Sequence, residues 1–227
     1  MLTLALDTAT RTLAVALVQD QQVLAEVAEP AAQSHAERLP ELITQLLTKT
    51  SISRHQITQV AVGVGPGAYT GLRVGLMFAT AFALAREISL VGICTHDVIA
   101  PSDYTGLVIT DARRKEVYFS KYENGKRLAA PIVTRPAEIA LADLMVIGDG
   151  VTVFPELFPT GIPTAISAGI LGQRVNSLLT AGITVADLVP NLTAASSDGA
   201  GAIPQNASAL LPALPLYLRR PDVTEPK

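Results

Sequence analysis

The residues best suited to chemistry follow the first apolar run of the chain. Residues 4–6 read as a short strand, and the sequence Asp7-Thr8-Ala9-Thr10 comes directly after them. A carboxylate at a strand end suits a Mg²⁺-bound water, and hydroxyls beside backbone N–H groups suit a phosphate. The same residue types also bond to their own turn, and the spacing alone slightly favours that second interpretation.

A glycine-rich loop offers a second phosphate-type pattern. It starts with Gly65-Pro66-Gly67 after an apolar run at 60–64. Glycines ahead of a helix leave backbone N–H groups available for a phosphate. No Gly-Lys-Ser/Thr follows, so this is not a Walker loop, and the loose G-x-G-x-x-A match at 63–68 lacks the acidic residue expected about 20 residues later. The candidate phosphate-binding residues are therefore Asp7, Thr8, Thr10, Gly65, Gly67 and Thr70.

The segment after this loop predicts an unusual helix over about residues 71–86. Small residues recur there at every fourth position, and they are Gly71, Gly75, Ala79 and Ala83. Such a ridge permits one helix to pack closely on another. Large apolar residues cover most of the remaining surface. A helix that is apolar nearly all round must be covered on more than one side. Its periodicity favours equally two ways of covering it, by the other half of this chain or by a second protein.

The rest of the sequence identifies no catalytic centre. The chain has three histidines and one cysteine, and none stands in an H-x-E-x-H, G-x-S-x-G or S-x-x-K pattern. His96-Asp97 follows an apolar run but has no second ligand at helical spacing, so no metal site is predicted. Cys94 ends the same apolar run, which favours a buried and inert thiol.

The elements that must position these residues follow a mixed order. The first hundred residues read β-β-β-α-β-α-β, and three strands before the first helix indicate a mixed sheet. Ser34 and Glu37 predict a capping box at the start of the first helix, and Pro40 is expected to bend it. One apolar stripe runs along this helix through Leu39, Leu42, Ile43, Leu46 and Leu47.

The second half of the sequence begins as the first half does. An apolar run at 107–110 ends at Asp111, as the first strand ends at Asp7, and Asn124-Gly125 predicts a hairpin with a returning strand at 127–134. This repetition suggests two related lobes, at 1–99 and 100–227. A further strand is expected at 144–147. Residues 191–209 are rich in Ala, Ser and Gly and predict a loop, and 210–227 is expected to pack back on the body.

Composition excludes several classes of protein. Apolar residues make up 49% of the chain and charged residues 16%, which is not the composition of a disordered chain. A net charge of −3 argues against a self-sufficient nucleic-acid binder, and the basic clusters at 113–115 and 219–220 read as solvated turns. The longest apolar stretch is about half of what a bilayer requires, and the first residues lack the basic start of a signal peptide. We expect a cytoplasmic protein without membrane contact.

Three passages of the sequence resemble one family. Residues 65–75 follow the pattern G-P-G-[SA]-[FY]-T-G-L-R-[IV]-G, residues 111–118 follow D-A-R-x-x-E-V-Y, and residues 217–219 read Y-L-R. These motifs are similar to those of the TsaB (YeaZ) family, the bacterial partner subunits for threonylcarbamoyladenosine modification of tRNA. The first match is highly specific, and the resemblance is clear over about residues 1–125 and again at the tail.

The resemblance implies an α/β fold of the actin-like, sugar-kinase (ASKHA) type, with two related lobes of mixed sheets flanked by helices. The family is similar to TsaD, the catalytic subunit that transfers threonylcarbamoyl to adenosine 37 of tRNAs reading ANN codons. In TsaD an H-x-E-x-H motif binds the metal, and here Thr95 and Ile99 stand at the two ligand positions. Because neither side chain can ligate as imidazole does, the resemblance implies a non-catalytic paralogue without a metal site.

The resemblance also implies partners. Members of the family pack their first helix and the helix after the glycine loop against TsaD, or against a second copy of themselves, and TsaE joins the assembly. It implies contact with tRNA only through the complex, no cofactor of its own, and ATP or ADP in the assembled complex. The alternative is a free-standing actin-like enzyme, either a small-molecule kinase or a metal-dependent hydrolase. The implied interface residues are Leu39, Leu42, Leu46, Gly71, Leu72, Gly75, Leu76, Ala79 and Ala83.

Overall fold

The first half of the chain forms a five-stranded mixed sheet. The computed structural model describes residues 1–30, 35–141, 143–183 and 210–218. The first elements follow the predicted order and are β1 (Leu2–Asp7), β2 (Thr12–Gln19), β3 (Gln22–Pro30), α1 (His35–Thr50), β4 (Gln59–Gly63), α2 (Tyr69–Arg86) and β5 (Ser89–Ile93). β1 pairs antiparallel with β2 and parallel with β4, so the sheet has the order β3-β2-β1-β4-β5.

A second five-stranded sheet repeats this pairing. Its central strand also has one antiparallel and one parallel neighbour, and its first hairpin also closes beside an aspartate, Asp111. The remaining elements are α3 (Thr95–Ile99), β6 (Gly106–Asp111), β7 (Val117–Glu123), β8 (Lys126–Arg127), β9 (Ile132–Thr134), β10 (Val146–Ile147), α4 (Gly150–Val153) and α5 (Ala168–Thr180). The sheet order is β10-β6-β7-β8, with β9 also paired to β7.

The two faces of the first sheet carry side chains of different size. Successive residues of a strand point to opposite faces, so Leu4 and Leu6 face α1 and α2 while Ala5 faces α5. The small residues let α5 approach closely, because a Cβ on its Gly172 would lie 2.7 Å from Val18. A helix from the second half of the sequence therefore covers the back of the first sheet. The predicted lobe boundary at residue 99 stays a prediction.

The segment 210–218 pairs with the edge strand β5 and packs on both faces of the sheet there. Leu211 pairs antiparallel with Gly92, and the N–H of Leu216 donates to the carbonyl of Val64 at 2.9 Å. Leu210 is buried on the α5 side of the sheet, whereas Leu211 and Leu216 are buried on the α1–α2 side. The described part of the tail thus closes the edge of the first sheet.

Several predicted bounds change in the structure. The returning strand predicted at 127–134 is two short strands, β8 and β9, and the strand predicted at 144–147 is reduced to Val146–Ile147. Helix α2 begins at Tyr69, two residues earlier than expected. The predicted cap Ser34, the loop at 191–209 and Arg219 lie outside the described residues. Among the helices that the structure describes, none is both long and apolar enough to cross a membrane.

Candidate functional site

Asp7 is fully buried where β1 ends. One carboxylate oxygen accepts from the N–H of Ala9 at 2.8 Å, and the other accepts from the hydroxyl of Thr95 at 2.7 Å. The pKa of Asp7 is raised to about 6, mainly by burial and in smaller part by the nearby Asp149 carboxylate, although the two hydrogen bonds lower it. Gly63 lies so close that a Cβ there would collide with this carboxylate. The Asp7 carboxylate is therefore enclosed by neighbouring residues of this chain.

The hydroxyl of Thr8 is bound to helix α2. It donates to the carbonyl of Gly71 at 2.7 Å and accepts from the N–H of Gly75 at 3.1 Å. Thr10 uses its hydroxyl within its own turn, where it accepts from the N–H of Thr12 at 3.1 Å. The interpretation of this stretch as a self-bonded turn thus describes Thr10 and one oxygen of Asp7, whereas Thr8 joins β1 to α2.

The glycine loop is pressed against the turn after β1. The carbonyl of Gly67 accepts from the hydroxyl of Tyr118 at 3.0 Å, and the N–H of Gly65 donates to the hydroxyl of Thr95 at 3.2 Å. A Cβ at Gly67 would collide with the carbonyl of Ala9. Of the six predicted phosphate residues, only Thr70 is exposed. Phosphate binding by this set stays a prediction, and the side chains of Asp7, Thr8 and Thr10 and the N–H of Gly65 are engaged in internal hydrogen bonds.

The ridge of small residues on α2 faces the chain's own sheet. Gly71, Gly75, Ala79 and Ala83 are all buried, and a Cβ at Gly75 would collide with the Thr8 hydroxyl. The predicted interface leucines and Leu76 are buried in the same core, at Leu39, Leu42, Leu46, Leu72 and Leu76. That these nine residues form a partner surface stays a prediction, and in this structure all nine are buried within the chain itself. Small residues are needed here because the helix lies close to the end of β1.

The outer face of α2 is apolar and exposed. Met77 keeps 69% of its surface exposed and Leu84 keeps 78%. Phe78 and Phe82 are half-buried and stack on each other with ring centroids 6.0 Å apart. Periodicity indicated that α2 must be covered on two sides, and the described residues cover only one of them. The outer face of α2 is therefore a candidate surface for binding another protein.

A groove of about 430 Å³ runs between α1 and the first half of α2. Beside it, the guanidinium of Arg73 lies 4.8 Å from the ring centroid of Tyr69, and the ring of Tyr217 packs on Tyr69 at 4.9 Å. We call these three residues the tyrosine–arginine stack. The residues lining the groove are Ala36, Leu39, Tyr69, Thr70, Arg73, Val74, Met77 and Phe78.

A buried polar cluster around α3 was missed by sequence reasoning. Asp97 accepts from the hydroxyl of Tyr122 at 2.6 Å and from Arg127 Nε at 2.8 Å. The ring nitrogens of His96 lie 2.7 Å from the hydroxyl of Ser120 and 2.8 Å from that of Thr110. Burial lowers the pKa of His96 to about 3, so the ring is neutral. The one available signal was a charged residue directly ahead of a short apolar run, which occurs at Asp97 before 98–100 and at Arg127 before 128–130.

The two positions compared with metal ligands have other contacts. Thr95 bonds Asp7 and the glycine loop, and Ile99 is buried in the core on the α5 side of the sheet. Across the part of the chain that the structure describes, no three His, Cys, Asp or Glu side chains converge as a metal site would require. Cys94 is buried as expected, and burial raises the pKa of its thiol to about 12.

The D-A-R motif forms a tight connection between β6 and β7. Arg113, Arg114 and Lys115 all adopt left-handed backbone angles, with φ of 62°, 52° and 63°. That conformation costs roughly 1 kcal/mol per residue for side chains other than glycine. Arg113 lies 3.3 Å from the Asp111 carboxylate, and the same carboxylate lies 3.7 Å from Arg11. The first basic cluster is thus partly tied to the end of the second sheet's first strand.

The chain is similar in sequence to proteins of tRNA modification. A family model described as TsaD, tRNA N6-adenosine threonylcarbamoyltransferase, matches residues 22–166. The TsaB protein of Escherichia coli is 35% identical over 131 residues, which cover 54% of this chain and 56% of that protein. TsaB of Bacillus subtilis is 30% identical over 147 residues, which cover 63% and 64%. An uncharacterised protein of Mycobacterium leprae is 34% identical over 225 residues, or 96% of this chain and 55% of that protein.

The matched regions span between about half and two thirds of the length of these curated relatives. In structure, the chain resembles YeaZ from Pseudomonas aeruginosa with a TM-score of 0.66 at 24% identity, covering 80% of this chain and 93% of that one. This likeness shows the fold, and with the two flanked mixed sheets it confirms the actin-like α/β prediction. The sequence motifs, the family model and the shared fold agree, and the chain belongs to the TsaB (YeaZ) family within the domains that the TsaD model describes.

Proposed function

We propose that this chain is a non-catalytic docking subunit in tRNA threonylcarbamoyladenosine biosynthesis, and that it binds and activates a TsaD-type transferase. The observation that carries the proposal is the apolar outer face of α2, which the described residues leave uncovered. The TsaB relatives are named for this biosynthesis, and the matching family model is described as the transferase itself. The partner in the proposal is the TsaD-type protein of the same organism.

The physical argument for docking rests on burial of large side chains. Fully burying a Met or Leu side chain contributes about 1.5–3 kcal/mol. Met77 and Leu84 are mostly exposed on one helix, and the Phe78–Phe82 pair lies beside them. Contiguous apolar surface of this kind marks an interaction site more often than a solvated one. A partner helix laid along α2 would cover all four side chains.

The argument for a non-catalytic role rests on the end of β1. The carboxylate of Asp7 and the hydroxyl of Thr8 are both engaged in internal hydrogen bonds, and the glycine loop packs against the neighbouring turn. Under this proposal, ATP or ADP is bound by the assembled complex rather than by this chain. TsaE joins that complex, tRNA is reached only through it, and a second copy of the chain covers α2 when the transferase is absent.

The test is a binding and activity experiment with the TsaD-type protein of the same organism. Met77→Asp and Leu84→Asp should abolish the heterodimer in size-exclusion chromatography. Met145→Asp is the matched control, since Met145 is 52% exposed and directly precedes β10 of the second sheet rather than lying on α2. Transfer to tRNA is then measured with and without this chain, while TsaE and the enzyme supplying threonylcarbamoyl-adenylate are held constant. Transfer that is equally fast without the chain contradicts the proposal.

A second variant separates docking from catalysis. Asp7→Asn keeps the shape of the side chain and removes its charge. If Asp7 performs chemistry, the variant loses activity in the transfer assay while still binding the partner. We expect the Asp7→Asn chain to support transfer as the wild type does.

A further inference from the structure

Arg73 is held in place before any partner arrives. Its guanidinium lies 4.8 Å from the ring centroid of Tyr69, and its Nη1 donates to the Tyr69 hydroxyl at 2.5 Å. Tyr69 is supported in turn by Tyr217, which the tail brings to the start of α2. A stacked arginine has lost part of its rotamer freedom, so it binds a ligand with a smaller entropic loss. The tyrosine–arginine stack is therefore a preorganised cation at the edge of the groove.

The chain offers this cation no carboxylate within the described residues. Helix α2 contains no Asp or Glu. On the neighbouring elements, Glu29 and Glu41 are bound by Arg38 at 2.6 and 2.7 Å. No carboxylate in the described part of the chain lies within ion-pair distance of Arg73. The guanidinium is thus stacked and exposed, and none of the described carboxylates neutralises it.

The remainder of the groove is lined mainly by apolar residues. Val74, Met77 and Phe78 extend from Arg73 along α2, and Ala36 and Leu39 face them from α1. This lining suits an apolar segment of a protein, and the planar guanidinium fork suits a carboxylate. A phosphate also fits a guanidinium, but the apolar lining and the net charge of −3 favour a protein over a nucleic acid.

We infer that the groove takes a segment of the partner that has an apolar face and one carboxylate, and that this carboxylate pairs with Arg73. The inference rests on the proposed function and specifies the chemistry of its partner. In a homodimer that packs α2 against α2, the second copy's helix would contribute Arg73 and Arg86 but no carboxylate to pair with Arg73. The pairing therefore favours the transferase over self-association. Tyr217 acts as a positioning residue, because it touches the partner's carboxylate only through Tyr69 and Arg73.

The test measures the dissociation constant for the TsaD-type protein of the same organism, without RNA, at several salt concentrations. Arg73→Ala should weaken binding about 30-fold, and Arg73→Glu should weaken it more. The wild-type dissociation constant should rise with salt, and that dependence should flatten in Arg73→Ala. Lys121→Glu, an equal charge reversal at an exposed site on the second sheet, should bind as the wild type does.

The positioning role has its own readout. Tyr217→Leu removes the ring that packs on Tyr69 and should weaken binding roughly threefold, the size expected for loss of one aromatic pair. Tyr217→Phe keeps the ring and should restore wild-type binding. Failure of Tyr217→Phe to restore binding overturns the positioning role. Both variants should keep the salt dependence of the wild type.

The outcomes separate this inference from the proposed function. If the Arg73 variants bind normally while Met77→Asp does not, the carboxylate pairing is wrong and docking on α2 stands. Normal binding by all three variants overturns both. If Arg73→Glu changes only the monomer–dimer equilibrium of this chain, the occupant is a second copy and the inference is wrong. It is equally wrong if the Arg73 variants lose only the affinity of the assembled complex for tRNA.

Discussion

The hydroxyl of Thr95 donates to the carboxylate of Asp7 at 2.7 Å, and the same hydroxyl accepts from the N–H of Gly65. One side chain at the start of α3 thus holds both the end of β1 and the glycine loop. These are the two places where the sequence suggests phosphate chemistry. In the structure they belong to one internal hydrogen-bond network. Changes in the charge or packing of its members should therefore change the stability of the fold.

The first prediction concerns the charge of Asp7. Its pKa is raised from 3.8 to about 6, so the folded state holds the proton more tightly than the unfolded chain does. This group therefore stabilises the fold below about pH 4, and that contribution is lost as pH rises through about 6. At about 1.4 kcal/mol per pKa unit, Asp7→Asn should be more stable than wild type by up to about 3 kcal/mol above pH 7.

Urea unfolding of both chains between pH 4 and pH 8 measures this difference. The difference should narrow toward the acid end, because the carboxyl is protonated in the folded chain below about pH 6 and begins to be protonated in the unfolded chain only near pH 4. A difference in unfolding free energy that does not change with pH contradicts the assignment of the raised pKa to Asp7.

The second prediction concerns Gly75. A Cβ at this position collides with the hydroxyl of Thr8, so Gly75→Ala should destabilise the chain by about 1–3 kcal/mol despite the better helix propensity of alanine. Thr80→Ala, on the exposed side of the same helix, should leave stability within about 0.5 kcal/mol. Thermal unfolding measures both variants. In a double-mutant cycle, adding Thr8→Ala should cost less in the Gly75→Ala background, because the colliding oxygen is gone.

The third prediction concerns the attachment of the tail. A Cβ at Gly92 would lie 2.8 Å from the carbonyl of Pro212 and 2.9 Å from that of Leu211, so Gly92→Val should displace the tail from β5. Hydrogen exchange at the amides of Leu211 and Leu216 should accelerate. Ser89→Val, at the exposed start of β5, is the control. Unchanged exchange at both amides in Gly92→Val contradicts the described path of the tail.

The fourth prediction concerns the buried ion pair between Asp97 of α3 and Arg127 of β8. Removing one partner of a buried ion pair leaves an uncompensated charge, so Arg127→Met should lower the free energy of unfolding by about 3–5 kcal/mol. Asp97→Asn should act in the same direction. The double variant should be less destabilised than the sum of the two, as measured by denaturant unfolding. Simple additivity shows that the two side chains do not interact.

The sequence predicted the strands and α2 well because their signals are local. Apolar runs bounded by Gly, Pro and Asp gave the order of the first seven elements, and the repeated strand ending in aspartate anticipated the second sheet. Which face of α2 packs on the sheet was harder to predict. Because the helix is apolar nearly all round, its periodicity contains no information on which face meets the sheet. Small residues fit a helix partner and the helix's own sheet equally well.

The contacts that sequence reasoning missed join distant parts of the chain. Asp97 and Arg127 are 30 residues apart, and Tyr69 and Tyr217 belong to different motifs of the same family pattern. Neither pair leaves a periodic trace, because the pairing depends on how the sheets are placed. Local patterns predict elements, and partners at long range follow only once the topology is known.

The face of the first sheet that is lined by alanines needs a helix from the second half of the chain to keep it out of water. Ala5, Ala14 and Ala16 are covered by α5, which is encoded more than seventy residues after the last strand of that sheet. A fragment ending at residue 99 would expose this surface to water along the whole sheet. Such a fragment should be recovered from cells in inclusion bodies, and adding the α5 segment in trans should return it to solution.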